Sequence, residues 1–119
     1  MVEGGTEDWA LWAVEVVEQL PGGVTLIGLD GRLRYYNREA ARILDRKPEY
    51  IGRDVAACHA KQESVERIRG MIRAFEQGRK EPFHWEIERF GRRLLISFSP
   101  LGVEGRLLGC IHMAVVKPS

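Results

Sequence analysis

Apolar positions recur along this chain with two periods, and the change from one to the other outlines its elements. Over residues 9–20, Trp9, Trp12, Ala13, Val16, Val17 and Leu20 fall three or four apart, the spacing of one helical face. Glu7 and Asp8 suit the first turn of that helix, and Pro21-Gly22-Gly23 ends it. The stretch VTLIGLDGRLRYYN (24–37) reads as two strands around Asp30-Gly31, a strong hairpin signal. Asn37 can then cap REAARILD, a short helix with Ala40, Ala41, Ile43 and Leu44 inward. Pro48 and Gly52 break the next segment into short turns.

A second amphipathic helix is predicted from about Ser64 to Gln77. Val65, Ile68, Met71, Ile72 and Phe75 share its face, and Gly78 stops it. Beyond it the period falls to two. Phe83, Trp85 and Ile87 alternate with His84, Glu86 and Glu88, and Leu94, Ile96 and Phe98 with Arg93, Leu95 and Ser97. Ile111, Met113 and Val115 alternate with Cys110, His112 and Ala114. Gly91, and Gly102 with Gly105, mark the two connections. The expected architecture is α+β: one five-stranded antiparallel sheet with the helices on one face and an N-terminal amphipathic helix.

Composition narrows the function. The 119 residues are enough for one core, and 45% hydrophobic with 29% charged residues is the balance of a globular domain. A net charge of +1 gives no field to hold nucleic acid or an anionic membrane. Acidic residues interrupt every apolar run near the N-terminus, so neither a signal peptide nor a membrane span is expected, and the cytoplasm is the default location. Two cysteines, Cys58 and Cys110, do not make a disulfide framework. No nucleophile elbow, phosphate-binding glycine loop or HExxH motif occurs, and Glu86 and Glu88 read as a solvated strand face. A non-enzyme is expected.

In this order and spacing, LDGRLRYYNREAARIL, PEYIGRDV and LGVEGRLLGCIHMAVV resemble the hairpin with its helix, the connection and the final hairpin of a PAS domain. The similarity runs from Leu20 to Val116. A narrower resemblance is to the PAS modules that accompany hemerythrin-like domains, which carry a Cys-His-Pro stretch. Here GRDVAACHA stands in that place, with Ala60 where those modules have Pro, alongside Leu20-Pro21, Ser64-Val65, and Phe83 with Trp85. The resemblance divides the chain into residues 1–20, a helix for dimerisation, and residues 21–119, the PAS domain. It implies a sensory or regulatory role: a ligand in a cavity between sheet and helices, a homodimer through residues 7–20, and a signalling partner protein. The other reading is a protein-interaction module with a filled core and no ligand.

Within that resemblance, Cys58 and His59 draw the chemistry. PAS haem sensors take an axial imidazole from the long helix or from the turns before it. The long helix has no His between Lys61 and Gly78, so His59 is the candidate iron ligand, with Cys58 as the thiolate alternative. Ile68, Met71, Ile72 and the inner faces of the last strands would line the pocket, with His112 near the ligand. The structural reading makes His59 a tether at the helix entry and Cys58 a small buried hydrophobe. A metal held by Cys58, His59, Cys110 and His112 is the third option, weakened because adjacent side chains diverge. Val55 stands where flavin-binding PAS domains place their reactive cysteine, which excludes that photochemistry.

Overall fold

In the computed structural model, residues 8–54 and 62–118 are described. Five strands, β1 (Gly23–Gly28), β2 (Leu33–Tyr36), β3 (Phe83–Arg89), β4 (Arg92–Val103) and β5 (Arg106–Val116), form one antiparallel sheet in the order β2-β1-β5-β4-β3. The two sequence-distant sets of strands meet where β1 pairs with β5, placing the first hairpin beside the last strand. Helices α1 (Trp9–Gln19), α2 (Arg38–Leu44) and α3 (Gln62–Glu76) and a 3₁₀ turn at Pro48–Tyr50 complete the described elements. None of these helices is long and apolar enough to cross a membrane.

Strand periodicity selects what lies between sheet and helices. Ile27, Phe98 and Cys110 pack with Met71, Ile72 and Phe75 of α3, and Leu94, Ile96 and Ala114 pack with Ala40, Ile43 and Leu44 of α2. Both helices therefore cover the same face. On β5 the inward set is Cys110, His112 and Ala114, with Cys110 against α3 and Ala114 against α2, while the larger Ile111, Met113 and Val115 face outward. A Cβ placed on Gly23, which pairs with Ala114, would lie 2.9 Å from the Ala40 Cα, so only small residues fit beneath that helix.

Local chemistry sets the helix ends. Asn37 caps α2 by accepting a hydrogen bond from the Ala40 N–H at 3.0 Å. Gly78, at φ 108, closes α3 in a conformation that costs other residues strain. α1 follows the predicted span but buries none of its residues: Trp9, Trp12 and Val16 are 46%, 54% and 58% exposed. It does not fold back over the sheet. Its contacts are with α2 and the end of β2, where Glu18 accepts a hydrogen bond from the Tyr35 hydroxyl and pairs with Arg38 at 3.5 Å.

Candidate functional site

The candidate site is the inner face of the sheet where α2 and α3 leave a polar stretch between two apolar clusters. One cross-strand row spans all five strands: Tyr36, Thr25, His112, Phe98 and Phe83 stand side by side. Cross-strand neighbours on one face are about 5 Å apart, so these side chains line a continuous floor. His112 sits between two aromatic edges, its ring centroid 6.3 Å from that of Trp85 and 6.3 Å from that of Phe98. Arg67 of α3 lays its guanidinium over the Trp85 ring, 4.5 Å from the centroid, a cation–π contact that ties helix to strand.

Arg46 completes the row. Asp45 ends α2 in the left-handed conformation (φ 56), and the next residue is buried, 5% exposed, with Nε 3.4 Å from Thr25 Oγ1. Thr25 is itself fully buried. A guanidinium is expensive to take from water, and arginine is almost never fully buried without partners. A buried arginine, a hydroxyl and an imidazole on one floor make a polar centre inside an otherwise hydrocarbon core. Nothing in DRKPEY marks Arg46 as buried, and Thr25 reads as an ordinary strand residue; the left-handed turn at Asp45 is the missing signal.

One structural link carries this floor outward. Thr25 is followed along the hairpin by the polar hub Asn37, 1% exposed, whose Oδ1 accepts from the N–H groups of Val24 (2.9 Å) and Ala40 while its Nδ2 donates to the carbonyls of Val17 (2.7 Å) and Gly22 (3.0 Å). That uses the full capacity of an amide side chain and joins α1, β1 and α2 at one atom group. Sequence pattern finds Asn37 as a cap; it does not find the bond to α1.

The sequence-predicted ligands are only partly brought together. His59 and Cys58 lie outside the described residues. Met71 and Ile72 are buried and Ile68 is partly buried, and all three pack in the cluster that holds Phe98, Phe75 and Cys110. Cys110 and His112 share the inner face, as the metal option requires, but burial, with a smaller contribution from Glu76, pushes the Cys110 thiol up to about 12. A protonated thiol is a poor metal ligand, and no group of three His, Cys, Asp or Glu side chains among the described residues could hold a metal ion. His84 lies exposed on the outer face. Glu86 there is held below the usual carboxylate range by Lys117 and Arg93, as suits a solvated strand face.

Comparison with known proteins agrees with this geometry. A family model described as a PAS domain matches residues 15–115. No curated protein shows significant similarity. Among solved structures, the chain is similar to the PAS domain of BvgS from Bordetella pertussis (14% identity, 94% of this chain and 88% of that one, TM-score 0.72). It is also similar to a PAS domain from Colwellia psychrerythraea (14% identity, 92% and 98%, TM-score 0.70). A third likeness is to the photoactive yellow protein domain of the sensor histidine kinase Ppr from Rhodospirillum centenum (21% identity, 85% and 90%, TM-score 0.60).

Proposed function

The chain belongs to the PAS domain family, and from that premise we propose that it is a sensory regulator that binds a small ligand over the Thr25–His112 row and passes the change to α1. PAS domains are sensory modules of histidine kinases and similar proteins. The observation that carries the reading is the buried polar centre: Arg46 against Thr25, in the same row as His112. Packing alone favours hydrocarbon there. The occupant this chemistry suits is flat or apolar against Trp85 and Phe98 and polar towards the Arg46–Thr25 end of the row. Ligand binding acts by favouring one arrangement of α2, α3 and β1 over another, to the extent of its differential affinity. Asn37 links β1 and α2 directly to α1, and α1 is the dimer element of the proposal.

Haem is a separate version of the same proposal, with His59 as the axial ligand and iron supplying redox or gas chemistry. The packed Ile68, Met71 and Ile72 do not favour it. Their packing favours instead the second reading, a ligand-free interaction module that uses its dimer or partner surface alone. Kinship with the Cys-His-Pro modules, carried by GRDVAACHA with Leu20-Pro21, Ser64-Val65, Phe83 and Trp85, belongs to the same proposal.

Native mass spectrometry of the purified protein separates the readings. A small molecule bound once per chain, and lost in Arg46→Ala with the far-UV circular dichroism retained, supports the sensor. The bare chain mass, unchanged after exposure to cell extract, supports the interaction module. A haemin titration that gives one Soret-absorbing group per chain, abolished in His59→Ala, supports haem.

A further inference from the structure

Charge is divided along this chain in a way that its near-zero total conceals. Residues 1–31 hold six acidic residues and neither lysine nor arginine, whereas residues 32–119 hold 18 basic and 11 acidic residues; the net +1 is −6 against +7. α1 lies wholly in the acidic part. It carries Glu15 and Glu18, follows Asp8, and presents large apolar side chains from Trp9 to Val16 that are 46–61% exposed.

A surface of the opposite character lies at the other end of the sheet. Between the end of α3 and the β4–β5 hairpin opens a cleft of about 580 Å³, with Phe75, Pro100 and Leu107 in its lining and Arg79, Lys80 and Arg106 around them, against a single carboxylate, Glu76. Arg79 is fixed in place, 3.8 Å over the Phe83 ring and donating to the carbonyls of Glu81 (3.0 Å) and Pro82 (3.1 Å). None of the three cations pairs with a carboxylate among the described residues, in contrast to Arg32, Arg34, Arg42, Arg69 and Arg93. An apolar floor whose rim carries three cations against one carboxylate is opposite in net sign to the acidic, tryptophan-bearing helix.

We infer that α1 of one copy docks in this cleft of a second copy, and reciprocally, so that two chains exchange their first helices. The inference rests on the dimer reading above and names the surface that receives the helix. α1 of the same chain does not line the cleft. It enters β1 beside Ala114, whereas Arg106 lies eight residues back along β5, about 26 Å away. Direct pairing of two α1 helices is disfavoured by sign, since it sets Asp8 and Glu15 of each copy together with no cation on either helix, Glu18 being already paired with Arg38 of its own chain. Docking in the cleft is isologous and closes as a two-fold dimer.

Sedimentation equilibrium on the full chain tests this, using the wild type, Glu15→Lys, the pair Lys80→Glu with Arg106→Glu, and all three changes together. These side chains are exposed and outside both cores, and circular dichroism verifies the fold of each variant. The dimer should weaken from about 50 to about 500 mM salt. Each charge reversal should raise the dimer Kd at least about tenfold, and the triple variant should recover most of that loss. A dimer tightened by Glu15→Lys, or indifferent to the cleft reversals, overturns the exchange while leaving a dimer. A wild-type monomer at every concentration overturns the dimer reading itself, and the exchange with it.

Discussion

The side-chain amide of Asn37 donates a 2.7 Å hydrogen bond to the main-chain carbonyl of Val17, joining the start of α2 to the end of α1. The same side chain caps Ala40 and accepts from Val24, so one residue holds three elements. Asn37→Ala leaves several buried groups without partners, at about 1–3 kcal/mol each where water cannot enter. Asn37→Ser retains a hydroxyl that can cap Ala40 but is too short to reach Val17. The serine variant is therefore expected to melt above the alanine variant, while both speed amide exchange in α1 equally. Hydrogen exchange followed by mass spectrometry checks this; slow α1 exchange in the serine variant would assign the latch to Glu18 and Tyr35 alone.

That second latch has its own pH signature. Burial first, and the Glu18 carboxylate second, raise Tyr35 from 10.0 to about 12. The folded protein keeps the phenolic proton between pH 10 and 12 while the unfolded chain loses it. The group's contribution is thus whole below pH 10 and is lost as pH rises toward 12. Tyr35→Phe should flatten the fall of melting temperature across that window. An alkaline profile unchanged by the substitution would sever Tyr35 from this linkage.

Cys110 is expected to be chemically silent while the protein is folded. It is fully buried, and burial raises its thiol from 9.0 to about 12. A thiol held protonated is neither a good nucleophile nor a good metal ligand. In a Cys58→Ser background, where Cys110 is the remaining cysteine, labelling by a disulfide reagent at pH 8 should follow the rate of global unfolding. Rapid labelling of the folded chain would show an open path to the inner face and reinstate Cys110 as a ligand candidate.

These residues also mark how far pattern alone reaches. Period-two alternation and left-handed glycines locate β3, β4 and β5, and the Asn37 cap locates α2, because each is a local preference that tertiary packing reinforces. The orientation of β5 is not local. Ala114 lies inward beneath α2 and Cys110 beneath α3, contacts between segments far apart in sequence. Arg46 is hidden for the same kind of reason: its burial depends on the left-handed turn at Asp45, which no glycine announces. α1 shows the converse, a helix whose span follows from its own periodicity and whose partner does not.

The glycines under α2 and in α3 should respond to alanine with opposite signs. At Gly23 a Cβ would stand 2.9 Å from the Ala40 Cα and 3.1 Å from its nitrogen, both backbone atoms that cannot swing aside. Gly23→Ala must therefore lift α2 from the sheet, an overpacking cost of about 1–3 kcal/mol. At Gly70, inside α3, the nearest neighbour of an added Cβ is the tip of Arg73 at 3.9 Å. Gly70→Ala should stabilise by roughly 0.5–1 kcal/mol through reduced freedom of the unfolded chain. Because α2 also carries Asn37, Gly23→Ala should loosen α1 and weaken any ligand held beside Thr25, whereas Gly70→Ala should raise the melting temperature and leave both unchanged. Denaturant melts of the two variants decide the matter, and a neutral Gly23→Ala would mean that α2 is free to ride away from the sheet.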